Sequence, residues 1–262
     1  MDRPSELLVL TPPGRARAVQ TAGLTPVHLA YRVGEGPHLF RSSQPLALRG
    51  GILAMDCPRP ADRGDPGAFC QEVLRECAAR GFQGVFCAFE GAPAPLLRRI
   101  VAALEPLLAR RNWPLYVPEA YAAGGARILI SSVLSGGSLR LRLEEAVERY
   151  GPERVVLLVE PLSEDFPLPS PTGQGVPLTR EELSRRREEL QPAVFFSSEL
   201  CAHYFTYMAK GDGAHFVLFD DAGSIRKKLQ IAAALGISRA VLALEQAEEL
   251  LPGLLRPSPG GK

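Results

Sequence analysis

The chain of 262 residues carries 30 Lys and Arg against 29 Asp and Glu, a formal charge of +1. That balance excludes a general attraction to nucleic acid or to an anionic membrane surface. Hydrophobic residues at 46% and charged residues at 23% describe a folded globular chain, not a disordered or coiled-coil one. No apolar run reaches the roughly 18 residues that cross a bilayer, so membrane insertion is not expected. Met1–Glu6 is polar and lacks the basic-then-apolar order of a secretory signal; the expected location is cytoplasmic or spore-associated.

In chain order, Leu7–Leu10, Val27–Val33 and His38–Arg41 are strand-like, with little helix between them. Gly51–Cys57 reads as a strand that ends in Asp56. Pro66–Arg80 follows with a helical period of apolar residues, opened by Asp65 as N-cap and Pro66 at the first helical position, and stopped by Gly81. Gly84–Glu90 is a strand and Pro95–Arg111 an amphipathic helix. Leu115–Ala120 and Ile128–Leu134 are strands, Leu139–Tyr150 a helix, and Arg154–Glu160 an apolar strand closed by a carboxylate. Ser163–Val176 reads as a Pro/Gly/Ser-rich loop. Thr179–Leu190 is a helix with a capping signal, Thr179 followed three residues later by Glu182. Ala193–Ser197 and His215–Phe219 are further strands, Ser224–Leu235 a helix ended by Gly236, and Ala240–Leu244 the last strand. Residues 252–262 read as a frayed tail.

Strand–helix alternation of this length predicts parallel strands with crossover helices. No glycine-rich phosphate turn follows the first strand, which argues against an open dinucleotide-binding sheet. The α/β architecture that fits is a (β/α)8 TIM barrel in a single domain spanning 1–262, imperfect in its first fifty residues. The five cysteines show no CxxC spacing and no histidine at zinc-ligand spacing; they read as small packing residues, and neither a metal nor another cofactor is expected.

Reacting groups of such barrels stand at the C-terminal ends of strands. That rule nominates Asp56, Glu90, Glu119, Glu160, the pair Asp220 and Asp221, and Glu245, each closing or nearly closing an apolar run. Converging carboxylates suit glycoside hydrolysis or a metal site, and the absence of histidines beside them weakens the second. Asp220 and Asp221 read as a cap of the following helix, paired with Lys228 or Arg226, rather than as substrate contacts, and His203 and His215 as structural hydrogen-bonding groups.

Several segments resemble a known family. Gln83–Glu90 (QGVFCAFE) is similar to the fourth-strand signature of glycoside hydrolase family 18, the chitinase-like barrels, written DGxxxDxE; Gly84, Val85, Phe89 and Glu90 match. Tyr204–Tyr207 (YFTY), His215–Ile225 (HFVLFDDAGSI), Lys228 and Gly236 resemble the end of that family's cell-wall and spore-coat branch. The likeness spans about residues 50–250. It implies Glu90 as the general acid that protonates the glycosidic oxygen, with Phe86 and Phe89 as apolar neighbours able to raise its pKa.

The departures are as informative. The family's Asp two residues before the acid holds the substrate acetamido group, whose oxygen attacks the anomeric carbon; that position is Ala88 here. The tryptophan expected on the last strand falls at Ala243, and the sixth-strand Met-x-Tyr-Asp signature finds only Ser131–Ser135. Losing an orienting acid or a stabilising donor lowers rate by about 10²–10³ each. The resemblance therefore implies a protein that acts on or binds an N-acetylglucosamine-containing polysaccharide, peptidoglycan or chitin-like, with weak or lost hydrolysis. Asp56, Glu119, Glu160, Tyr204, Tyr207 and Glu245 are its candidate substrate-binding residues. Three functions compete: a degenerate barrel that binds without cleaving, a hydrolase using Glu90 with Glu160 or Glu119 as second carboxylate, and a non-catalytic scaffold, with a protein partner, in spore or cell-envelope assembly.

Overall fold

The computed structural model describes residues 3–43, 46, 48–60, 64–134, 137–170, 173–209, 211, 213–243 and 254. Eight parallel strands close on themselves: β1 (Glu6–Thr11), β2 (Thr25–Val33), β4 (Ile52–Asp56), β5 (Val85–Ala88), β6 (Leu115–Pro118), β7 (Arg127–Ser131), β8 (Val155–Val159) and β14 (Arg239–Ala243). β1 seals the ring, pairing with β14 through Leu8↔Val241 and with β2 through Leu10↔Val27. β3 (Leu39–Arg41) is an antiparallel addition to β2. The chain is thus a TIM barrel, as the alternation predicts.

Two-residue alternation divides each barrel strand between two apolar layers. The inner layer holds Leu8, Val27, Phe86, Tyr116, Val156 and Val241. The outer layer packs under helices α2 (Pro66–Arg80), α3 (Pro95–Ala109), α4 (Leu139–Tyr150) and α6 (Ala222–Ala234). All five cysteines are buried and free, and Cys70, Cys77 and Cys87 sit in the outer layer as small apolar fillers. Burying a side chain such as Phe86 contributes about 2–3 kcal/mol.

Local chemistry sets the helix ends. Asp65 accepts the Gly67 N–H at 2.8 Å and Pro66 opens α2, while Gly81 closes it at φ 71, a left-handed turn that a side chain resists. The helix expected from Pro95 to Arg111 stops at Ala109, three residues beyond Pro106, whose ring nitrogen gives no hydrogen bond. α6 starts two residues before the expected Ser224, because Asp221 and Ser224 form a reciprocal capping box.

Among the described residues the barrel departs from regularity in three crossovers. No helix stands between β2 and β4, where β3 and a loop take its place, so one irregularity lies in the first fifty residues. A depression of about 450 Å³ remains on that flank, lined by Tyr31, Leu39, Arg41, Glu72, Arg75 and Glu76. Between β6 and β7 a single 3-10 turn, Glu119–Tyr121, replaces the helix.

The strand series needs one correction. Ala193–Ser197 and His215–Phe219 are not barrel strands. They belong to a second, antiparallel sheet inserted between β8 and α6, in the order β10 (Val176–Pro177), β9 (Ser163–Leu168), β13 (Gly213–Phe219), β12 (Ala202–Ala209), β11 (Phe195–Ser197). The Pro/Gly/Ser-rich segment expected to be a loop supplies β9 and β10. Pro167 is tolerated in β9 because β10 pairs only with Glu164 and Asp165, leaving that strand open beside the proline. Helix α5 (Arg180–Leu190) packs on one face of this sheet through Leu183, against Phe205, Val217 and Phe219. The tail expected from 252 lies outside the described residues except for Leu254, which is buried against the outer layer.

Candidate active site

The inward file of each strand continues to the C-terminal mouth of the barrel. On β4 it runs Ile52, Ala54, Asp56, and on β5 Phe86, Ala88. Asp56 and Ala88 are register partners on adjacent strands. Glu90 lies two residues past Ala88 in the same alternation and is exposed. Its carboxylate forms no hydrogen bond or ion pair with any described residue. Of its expected apolar neighbours, Phe86 points into the barrel, whereas Phe89 turns to the helix layer and meets Tyr121 edge-on at 5.4 Å.

Asp56 is held by Arg32 on β2 in a two-pronged ion pair, Nε–Oδ1 and Nη2–Oδ2 both 2.9 Å. The bond to Asp56 raises the Arg32 pKa further above its already high value. Sequence reasoning missed Arg32. A register shift between Leu29 and Tyr31 turns the alternation of β2 by one residue and sets Arg32 opposite Asp56, and nothing in the local residue pattern marks that shift.

Across the mouth, Glu160 follows β8 in the inward file of Val156 and Leu158. It accepts a 2.5 Å hydrogen bond from Ser131 Oγ at the end of β7, and its backbone N–H donates to Ser132 Oγ at 3.2 Å. Glu160 makes no ion pair with any described residue. Hydroxyls therefore stand where the sixth-strand tyrosine signature is missing, but that of Ser131 is committed to Glu160. β5 and β8 are separated by β6 and β7 in the ring, so Glu90 and Glu160 rise from different sectors of the rim. Ala243 ends the described part of β14.

The other nominated residues go elsewhere. Glu119 turns outward to α4, bonded to Arg142 and to Tyr150 Oη at 3.3 Å; beside it the Tyr150 pKa is raised, first by burial and then by the Glu119 charge. Tyr207 lies on the α5 face of the inserted sheet, where it donates to Asp165 at 2.7 Å, accepts from Arg186 at 2.9 Å and stacks on His215 at 4.9 Å. Asp165, 4% exposed, also receives His215 Nδ1 at 3.0 Å and pairs with Arg186. Asp220 pairs with Lys228 at 2.6 Å, and Asp221 caps α6. Glu245 lies outside the described residues.

Tyr204 occupies the opposite face of that sheet. It belongs to a row of rings crossing four strands: Phe166–Phe216 at 6.1 Å, Phe216–Tyr204 at 5.3 Å and Tyr204–Phe195 at 5.6 Å. Leu162, two residues past Glu160, packs at the base of the same face. The sequence does not single out these phenylalanines, because their alignment depends on pairing between strands distant in the chain.

No protein-family model matches the sequence, and no curated protein matches it. Solved structures do. A chitinase from Chromobacterium violaceum superimposes with a TM-score of 0.71 at 13% identity, covering 95% of this chain and 97% of that one. The spore cortex-lytic enzyme SleL of Bacillus cereus gives 0.69 at 15% identity, over 100% of this chain and 76% of that one. A GH18 chitinase from Cycas revoluta, solved in complex with (GlcNAc)3, gives 0.61 at 12% identity, over 95% and 98%. What this chain shares with these structures is the fold, a chitinase-like TIM barrel, and coverage of 95–100% takes in the inserted sheet.

Proposed function

We propose that the barrel mouth binds a glycan containing N-acetylglucosamine, of the peptidoglycan or chitin type, and cleaves it weakly with Glu90 as general acid. The observation that carries this reading is Glu90 itself. It is exposed at the C-terminal end of the fourth barrel strand, free of every described partner, where a carboxyl can reach a glycosidic oxygen. Asp56, clamped by Arg32, and Glu160, steadied by Ser131, line the same mouth as substrate-binding groups. Tyr204 with Phe166 and Phe216 supplies ring faces of the kind on which pyranose rings lie.

Weak turnover follows from Ala88. A methyl group neither orients an acetamido oxygen nor stabilises the cation it becomes. Asp56 stands beside Ala88, but the charge of Arg32 balances it. Those two features favour the second reading, a non-catalytic glycan- or protein-binding scaffold in spore or cell-envelope assembly. Likeness to a cortex-lytic enzyme and to chitinases supports a glycan as ligand in either case.

The test is a binding and hydrolysis screen on chitin oligomers and muropeptides with wild type and Glu90→Gln. We expect binding within about twofold of wild type and loss of all cleavage in the variant. Cleavage unchanged in Glu90→Gln removes this residue as the acid; binding of neither ligand class by wild type removes the reading.

A further inference from the structure

The edge of the inserted sheet has the composition of an interior strand. β11 ends the five-strand order and, among the described residues, pairs on one side only, with β12. Its side chains alternate between the two faces: Phe195 joins the aromatic row beside Tyr204, and Phe196 meets His203 on the α5 face at 5.1 Å. Both rings are open to solvent, Phe195 at 53% and Phe196 at 42%, with Val194 at 39%. Residues 191–198 (QPAVFFSS) carry no charge. Exposed edges are ordinarily blunted by charges or by twist, and apolar residues on both faces of a strand belong where both faces are covered.

We propose that two copies of this chain associate by antiparallel pairing of their β11 edges, joining the inserted sheets into one sheet across a two-fold axis. The absence of charge from 191 to 198 lets the segment lie against itself without like-charge contact. Phe195, Phe196 and Val194 expose about 300 Å² per copy. At the usual apolar share of an interface, two copies then bury about 1,000 Å² in all, the lower bound for a specific association. The axis stands perpendicular to the sheet, so both aromatic rows emerge on the same side and meet at Phe195. The two-fold makes the contact isologous, and no other chain is needed to satisfy it.

Sedimentation equilibrium of the full chain from about 1 to 100 µM tests this. The expected average mass rises with concentration from 28.3 kDa towards twice that value. Phe195→Lys and Phe196→Lys each hold the monomer mass throughout, with an unchanged circular dichroism spectrum. Met208→Lys, an exposed apolar site on β12 away from this edge, associates like wild type. A wild-type monomer at the highest concentration overturns the proposal, as does wild-type-like association of both phenylalanine variants. Should a variant lose its fold, amide exchange of wild type decides. Residues 193–198 exchange more slowly at high concentration if the edge pairs, and equal rates overturn the proposal.

Discussion

The two ends of the barrel treat charge in opposite ways. At the N-terminal floor, Glu6 and Arg239 pair at 2.6 Å, Arg127 donates to the Glu153 carbonyl, and Tyr116 is buried beneath them. Burial, and then the Glu6 carboxylate, push the Tyr116 phenol up to about 12; burial and the neighbouring Arg239 lower the Arg127 guanidinium. Each of these groups has a partner, and together they close the floor of the barrel. The mouth pairs Asp56 with Arg32 and Glu160 with Ser131, but leaves Glu90 without any described partner. Glu90 combines that freedom with a place at the C-terminal end of a barrel strand, the end at which reacting groups of such barrels stand.

The largest effect is expected at the rim, where the inserted sheet rejoins the barrel. Lys228 and Asp220, 1% and 0% exposed in their side chains, form the buried pair there. Lys228→Met leaves a buried carboxylate without its cation, and we expect a loss of about 3 kcal/mol in denaturant unfolding. A wild-type midpoint would mean that Ser224 and the Leu162 N–H, which also bind Asp220, suffice to hold it.

A second measurement sharpens the mouth. Ala88→Asp places an acid beside Asp56 and two residues before Glu90, and release of reducing ends from chitin oligomers should rise by about 10². No gain would show that an acid at position 88 does not promote cleavage while Arg32 holds Asp56.

The floor makes a prediction about alkali. The folded Tyr116 pKa lies above its unfolded value of 10.0, so its stabilising contribution is complete below pH 10. It is lost as pH rises through about 12, because the unfolded chain releases the proton first. Tyr116→Phe should spare the protein about 2 kcal/mol of the destabilisation over that interval, read as the difference between two unfolding curves. The smallest effect is expected for Arg239→Met. Its partner Glu6 is 42% exposed, and a screened pair of that kind is worth about 1 kcal/mol or less.

Much of the fold was legible because it depends on local pattern. Apolar runs closed by a carboxylate mark β4, β5 and β8; Asp65 with Gly81 brackets α2; Thr179 with Glu182 opens α5. The inserted sheet was not legible, because β9 hides in a proline-rich segment whose pairing partner, β13, lies some fifty residues further on. Of the nominated carboxylates, the residue pattern places Glu119 and Glu160 alike at strand ends.

The sequence by itself determined the alternation of strands and helices, the capping of the helices, and the placing of Ala88 and Glu90 at one strand end. All of these depend on residues within a turn or two of one another. Only the tertiary structure decided which side chains enter the mouth. A strand's two faces are chemically distinguished only when its neighbours fix register: the shift in β2 brings Arg32 to Asp56, and the outward turn after β6 gives Glu119 to α4. Pairing between distant strands, absent from any local window, is what turns a string of acids into one mouth.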